Sequence, residues 1–277
     1  MSGWNSQLAE LWTNNVPPSR PSPDEMVVYT KYLRQLQQKK THPIRLLVLG
    51  STPEFRDWGY EQHLSVSVID QSADYYHTIS RELRHKNTTE KLYISRWEDM
   101  LFENEFDLIV GDLAIGNVQA DLFDLFLYRI SNALTSDGIF MGKSFFWSED
   151  LLSCTPSEIA ESYKAKRYLH PYTYMNHQLG LYCLNKDKEY IDFSKMYEEV
   201  EQLWANGEID EDTFKCFQNI GWNTEMKFLF FSPTKDSFAK RVGQVMHFHG
   251  FVYTTDEYTQ LFPIYVASKI TEQEANV

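Results

Sequence analysis

A chain of 277 residues, 43% hydrophobic and 23% charged, suffices for one large domain or for a core domain carrying an insertion. Its formal net charge of −13 argues against a broad nucleic-acid footprint, because phosphate affinity comes largely from Lys and Arg. Three scattered cysteines (Cys154, Cys183, Cys216) offer neither a disulfide framework nor a zinc knuckle, and the absence of a signal peptide or membrane-length apolar run leads us to expect a soluble, cytoplasmic protein.

In chain order, residues 6–13 read as a short amphipathic helix with Leu8, Leu11 and Trp12 on one side, broken by the proline-rich stretch 14–23. Ser22, Pro23 and Glu25 have the spacing of an N-cap, a first-turn proline and a capping box, opening a helix that runs toward Gln38. The only basic cluster, Lys39-Lys40 with Arg34 before it, reads as a solvated helix end. From Pro43 onward strands and helices alternate. Strands are expected at 45–50, 64–70, 91–95, 106–112 and 139–146, with helices near 55–62, 72–85 and 119–134 between them and a turn at Asp137-Gly138. This alternation implies a mainly parallel sheet with right-handed crossovers.

Residues 155–220 look largely helical, with amphipathic helices at 196–204 and 210–217; the apolar run 179–184 fits strand or buried helix. Runs at 226–231 and 262–267 have strand character and are expected to complete the same sheet. The fold expected is therefore α/β and Rossmann-like: a seven-stranded, mainly parallel sheet with helices on both faces, an N-terminal helical extension and a helical lid. The boundaries are 1–42 for the extension, 43–150 for the cofactor-binding core, 151–222 for the lid and 223–277 for the closing strands.

The strand ends carry the chemistry. Leu46 to Leu49 run unbroken into Gly50, as in a buried central strand that stops at a ligand loop. Twenty residues beyond Gly50, the second strand ends on Asp70, placed to accept hydrogen bonds from both hydroxyls of a ribose. In isolation a helix cap or solvated turn is an equal reading of Asp70, and its coincidence with Gly50 and the strand order favours ligand binding. After the third strand, Arg96-Trp97-Glu98-Asp99-Met100 supplies a ring and acids for a base, although Trp97 could equally pack. The loop after Gly50 is Ser51-Thr52-Pro53-Glu54, without the further glycines of a dinucleotide fingerprint.

These segments resemble the class I S-adenosylmethionine-dependent methyltransferases. The resemblance rests on Val48-Leu-Gly-Ser-Thr-Pro-Glu54, Val68-Ile-Asp70, Trp97-Glu-Asp-Met100, Phe106-Asp-Leu-Ile-Val-Gly-Asp112 and Leu134-Thr-Ser-Asp-Gly138, with Phe262 to Lys269 as an antiparallel last strand beside strand six. The Leu-Gly-x-Thr-Pro-Glu form is similar to one subgroup of that family. The resemblance implies S-adenosylmethionine as cofactor, bound by Gly50, Ser51, Thr52, Asp70, Gln71, Trp97, Glu98 and Asp112. Arg96 stands where many members carry an acid, which passes the adenine contact to Glu98, Asp99 or backbone. A cofactor without phosphates needs no glycine-rich turn, and a cationic sulfonium suits an acidic, aromatic cleft.

For the acceptor, Asp112 is a candidate orienting or deprotonating residue, with a hydrogen-bond anchor as its alternative. Asn117 shares its loop, where a turn role is the simpler one. The segment His170 to His177, with Tyr172 and Tyr174, could line an acceptor pocket and supply a base, His170 being the candidate carried forward. Arg20 could pair with a carboxylate over the mouth of the sheet or in a structural ion pair. His247-Phe-His249 lacks a nearby acid or cysteine, so no metal site is expected. The expected function is methyl transfer to a small-molecule acceptor. The alternatives are a non-catalytic binding protein on the same fold and, less favoured, an NAD-dependent oxidoreductase.

Overall fold

The computed structural model describes residues 9–86, 89–151, 154–221, 223 and 228–270. A seven-stranded sheet in the order β3-β2-β1-β4-β5-β10-β9 forms its centre. The strands are β1 (Arg45–Leu49), β2 (Ser65–Asp70), β3 (Lys91–Ile94), β4 (Phe106–Asp112), β5 (Leu134–Lys143), β9 (Met246–Val252) and β10 (Ile264–Lys269). β1 to β5 are parallel, whereas β10 runs antiparallel to both β5 and β9.

β1 is the middle of this sheet because its apolar run can be buried on both faces. Leu47 and Leu49 point toward Phe126, Leu127 and Ile130 of one helical layer, and Leu46 and Val48 toward Tyr29, Leu33 and Phe55 of the other. The first layer holds α4 (Phe123–Ala133) and α9 (Lys235–Val242); the second holds α1 (Pro23–Gln37) and α2 (Pro53–Glu61). α1 begins as its sequence predicts: Ser22 Oγ accepts the Glu25 amide, Glu25 accepts the Ser22 amide, and Pro23 occupies the first turn. α3 (Ala73–Ile79) is shorter than expected and passes into a 3₁₀ turn at Ser80–Glu82.

The remaining elements form a second unit over one end of the sheet. It contains α5 (Pro156–Lys164), α6 (Pro171–Tyr182), α7 (Phe193–Ala205), α8 (Glu211–Gln218) and a small antiparallel sheet of β6 (Leu184–Asn185), β7 (Tyr190–Asp192) and β8 (Leu229–Phe231). Residues 179–182 are therefore the last turn of a helix. The glycine between α7 and α8, Gly207, has φ +72°, which explains the break there.

Three expectations are corrected. Leu229–Phe231 pairs with β7 in the small sheet, not with the main one, and Met246–Val252 takes the edge position instead. The stretch 246–252, Met-His-Phe-His-Gly-Phe-Val, alternates apolar residues with His and Gly, as befits a half-exposed edge. Asp137-Gly138 does not end a helix–strand turn; β5 already begins at Leu134, and the extra residues are absorbed as a bulge opposite Phe106–Leu108. Of the expected first helix, residues 6–8 lie outside the described residues, while Ala9 and Glu10 are helical and Trp12–Asn14 form a 3₁₀ turn.

Candidate active site

The strand order reverses between β1 and β4, with β2 and β3 on one side and β5 on the other. In open α/β sheets a crevice opens beyond the carboxyl ends of the two strands at this switch point. Here Gly50, just past the end of β1, and Asp112, the last residue of β4, both line a cavity of about 320 Å³. The second unit closes the opposite wall, contributing Asn176, His177, Gly180, Phe193 and Phe230 among others.

Gly50 turns the chain with φ +81°, a conformation that strains any residue with a side chain. A Cβ there would meet the Trp97 ring at 3.6 Å. Trp97 is held by its indole N–H, which donates to the Ile69 carbonyl at 3.1 Å, so the ring both packs and forms a wall. The two readings of Trp97 are compatible. Thr52 precedes Pro53 at the start of α2 and makes no capping bond to that helix.

Asp70 is only 6% exposed. One carboxylate oxygen accepts the Ser51 hydroxyl at 2.5 Å and the other accepts the Ser72 amide at 2.9 Å. Burial pushes its pKa up, against the Ser51 and Ser72 hydrogen bonds and the Arg56 charge, which pull it down. The Gln71 backbone N–H also hydrogen-bonds this carboxylate, and of its roughly four acceptor sites one remains for a further donor. Gln71 lines the exposed rim. Glu98 lines the cavity too, but its carboxylate is ion-paired with Arg96; Asp99 is not among the lining residues.

Arg56 is a residue that sequence reasoning passed over. It is fully buried beneath the loop, reaches the Ser51 carbonyl at 3.4 Å, and pairs with Glu90, which also accepts the Tyr60 and Tyr76 hydroxyls. That network fixes the backbone from which Ser51 and Asp70 project. An arginine in the first turns of an amphipathic helix carries no sequence signal of burial.

Asp112 sits at the end of β4 with its side chain 3% exposed, 3.2 Å from the Lys143 ammonium. Lys143 is itself buried and also donates to Glu25 at 2.8 Å and to the Arg20 carbonyl at 3.0 Å. Burial raises the Asp112 pKa to about 7 against the pull of Lys143, with Glu25 and Glu54 adding repulsion. Lys143 is held above the ordinary lysine value because Asp112 and Glu25 outweigh its own burial. A lysine inside the apolar run 139–146 was the available sequence signal for this triad. The residue after Asp112, Leu113, has φ +53° and is pinned by its amide to the Lys143 carbonyl at 2.9 Å. Strain of this kind collects where a site over-determines its backbone.

The other candidates divide. His170 is corrected: it lies outside the cavity lining and caps α6, its Nδ1 accepting the Tyr172 amide at 3.3 Å. Its neighbour in sequence, His177, does line the cavity. Asn117 donates to the Leu113 carbonyl at 2.9 Å, the turn role, while also lining the cavity. Arg20 forms an ion pair with Glu54 of the first turn of α2. Among the described residues no group of three or more His, Cys, Asp or Glu could hold a metal ion, and no helix is long and apolar enough to cross a membrane.

No protein-family profile matches this sequence, and no curated protein matches it. Solved structures do. A protein of Rhodobacter sphaeroides, titled a candidate zinc-dependent alcohol dehydrogenase, is 14% identical over 98% of this chain and 100% of its own, with TM-score 0.60. A Methanosarcina mazei protein titled a SAM-dependent methyltransferase is 13% identical over 91% of this chain and 100% of its own, with TM-score 0.52. The N-methyltransferase NodS of Bradyrhizobium japonicum, solved with S-adenosylhomocysteine, is 9% identical over 97% and 99%, with TM-score 0.52. At these identities the likeness is one of fold. The sheet and its surrounding helices form the Rossmann-like fold of class I methyltransferases.

Proposed function

We propose that this protein is an S-adenosylmethionine-dependent methyltransferase acting on a small molecule. One observation carries the choice of cofactor over a dinucleotide: the start of α2 is built against phosphate. Helix N-termini bind phosphate through free amides and the positive end of the helix dipole. In α2 the first position is Pro53, which has no N–H, and the next is the acid Glu54, already paired with Arg20. Asp70 still offers an acceptor for a ribose, and Trp97 a surface beside it.

S-adenosylmethionine supplies a methyl group on a cationic sulfur, transferred by in-line displacement. Asp70, Gly50 and Trp97 would hold its nucleoside, with Asp112 and Leu113 at the junction between cofactor and acceptor. The second unit supplies the opposite wall, and water exclusion by such a wall favours displacement. The second unit walls in the acceptor side of the cavity with Asn176, His177, Gly180 and Phe230, which supports a small acceptor. The dehydrogenase title of the Rhodobacter sphaeroides structure belongs to that protein, and the α2 terminus here speaks against a pyrophosphate.

The test is turnover. Incubation with S-adenosylmethionine and a metabolite library is expected to release S-adenosylhomocysteine with at least one acceptor. Binding of the cofactor with no turnover on any acceptor would favour the non-catalytic alternative.

A further inference from the structure

The acceptor-side wall of the cavity is made by α6 and the rings that face it. Asn176 and His177 are consecutive on this helix, and both line the cavity. Gly180 lies one turn further on and lines it too. A Cβ on Gly180 would come within 3.3 Å of Ile191 and 3.8 Å of Phe145, so the helix lies close against both side chains there.

Two polar side chains on this wall present acceptors, the Asn176 amide carrying N–H donors as well. His177 Nδ1 lies 3.0 Å from the Thr173 carbonyl oxygen. A carbonyl can only accept, so Nδ1 carries the hydrogen and Nε2 is left as an acceptor. Burial pushes the His177 pKa down to about 4, against the Thr173 bond and the Glu257 charge, so the ring is neutral at physiological pH. Asn176 is 7% exposed, and its buried side-chain oxygen has no hydrogen-bond partner in the protein. An acceptor left unpaired in a buried site is destabilising, and a donating ligand removes that cost.

We infer that this wall is a subsite for a flat, neutral aromatic molecule carrying N–H or O–H donors on one edge, with Asn176 Oδ1 and His177 Nε2 accepting from that edge and Gly180 and Phe230 contacting its faces. The inference rests on the proposed function only in making this molecule the methyl acceptor. The rings alone would admit any apolar ligand; the acceptor pair is what selects. A purely aliphatic molecule would forgo ring–ring contact, and an ether of the same shape would leave both acceptors unpaired.

The probe is 2,3-dihydroxynaphthalene, with 2,3-dimethoxynaphthalene as the matched ether, titrated by calorimetry into the full chain with and without S-adenosylhomocysteine. The diol is expected to bind at least tenfold more tightly than the ether. Asn176→Ala and His177→Leu are each expected to weaken the diol about tenfold and to leave the ether unchanged. Equal affinity for diol and ether, or binding of neither, overturns the subsite even if both variants fail to fold. S-adenosylhomocysteine is titrated separately: its failure to bind beside a diol-selective subsite would sink the cofactor reading and leave this one standing.

Discussion

Asp112 bears two opposed influences, burial that favours its neutral form and a buried lysine that favours its charge. With a carboxyl raised from 3.8 to about 7, the folded protein binds a proton that the unfolded chain has already released over that interval. Stability therefore falls as pH rises from the lower value through the upper one. Asp112→Asn removes this titration. From about pH 5 to about pH 8 the stability difference between variant and parent should move in the variant's favour by roughly 1–3 kcal/mol, read by urea denaturation. A difference independent of pH would contradict the account. At Asp70 the expected effect is on the ligand. Asp70→Asn should weaken S-adenosylmethionine binding by roughly ten- to a hundredfold, the range for hydrogen bonds to a charged group, with the thermal transition retained. Gly50→Ala should cost about 1–2 kcal/mol of stability because φ +81° there strains any side chain.

Two couplings between elements make further predictions. Lys143 joins β5 to α1 through Glu25 and to β4 through Asp112. Removing the cation leaves two buried carboxylates, so Lys143→Met should destabilise by about 3–5 kcal/mol, whereas Lys143→Met combined with Glu25→Gln and Asp112→Asn should recover much of that loss. Denaturation of the single and triple variants measures it. The second coupling is at Gly116, in the turn after β4, where a Cβ would fall 2.0–2.4 Å from three atoms of the Phe230 ring of β8. Gly116→Ala should displace Phe230 from the cavity wall and weaken acceptor-side binding more than cofactor binding. Elements with a strong local signal were legible in the sequence: the Ser22–Glu25 capping box, the apolar run of β1, and the amphipathic α7 and α8. The small sheet and the edge strand β9 were not. Their strands are short or half-exposed, so their identity comes from partners distant in sequence and not from periodicity.

For the molecule as a whole, the order of strands places the site. The reversal between β1 and β4 opens the crevice, and Gly50, Asp70, Trp97 and Asp112 were readable because strand ends at that edge are predictable from the alternation of elements. What was not readable is what stands behind and opposite them. Arg56 with Glu90, and Lys143 with Glu25, join residues far apart in sequence, and nothing local marks which charges will be buried. His170 was singled out as the residue most like a base, yet the helical turn it caps carries it away from the cavity and brings His177 in. The proposed cofactor rests on the start of α2 and on the strand-end residues Gly50, Asp70 and Trp97. Parallel calorimetric titrations with S-adenosylmethionine and with NAD test that most directly. The account predicts one S-adenosylmethionine site per chain, weakened by Asp70→Asn, and no heat with NAD; binding of NAD without S-adenosylmethionine would contradict it.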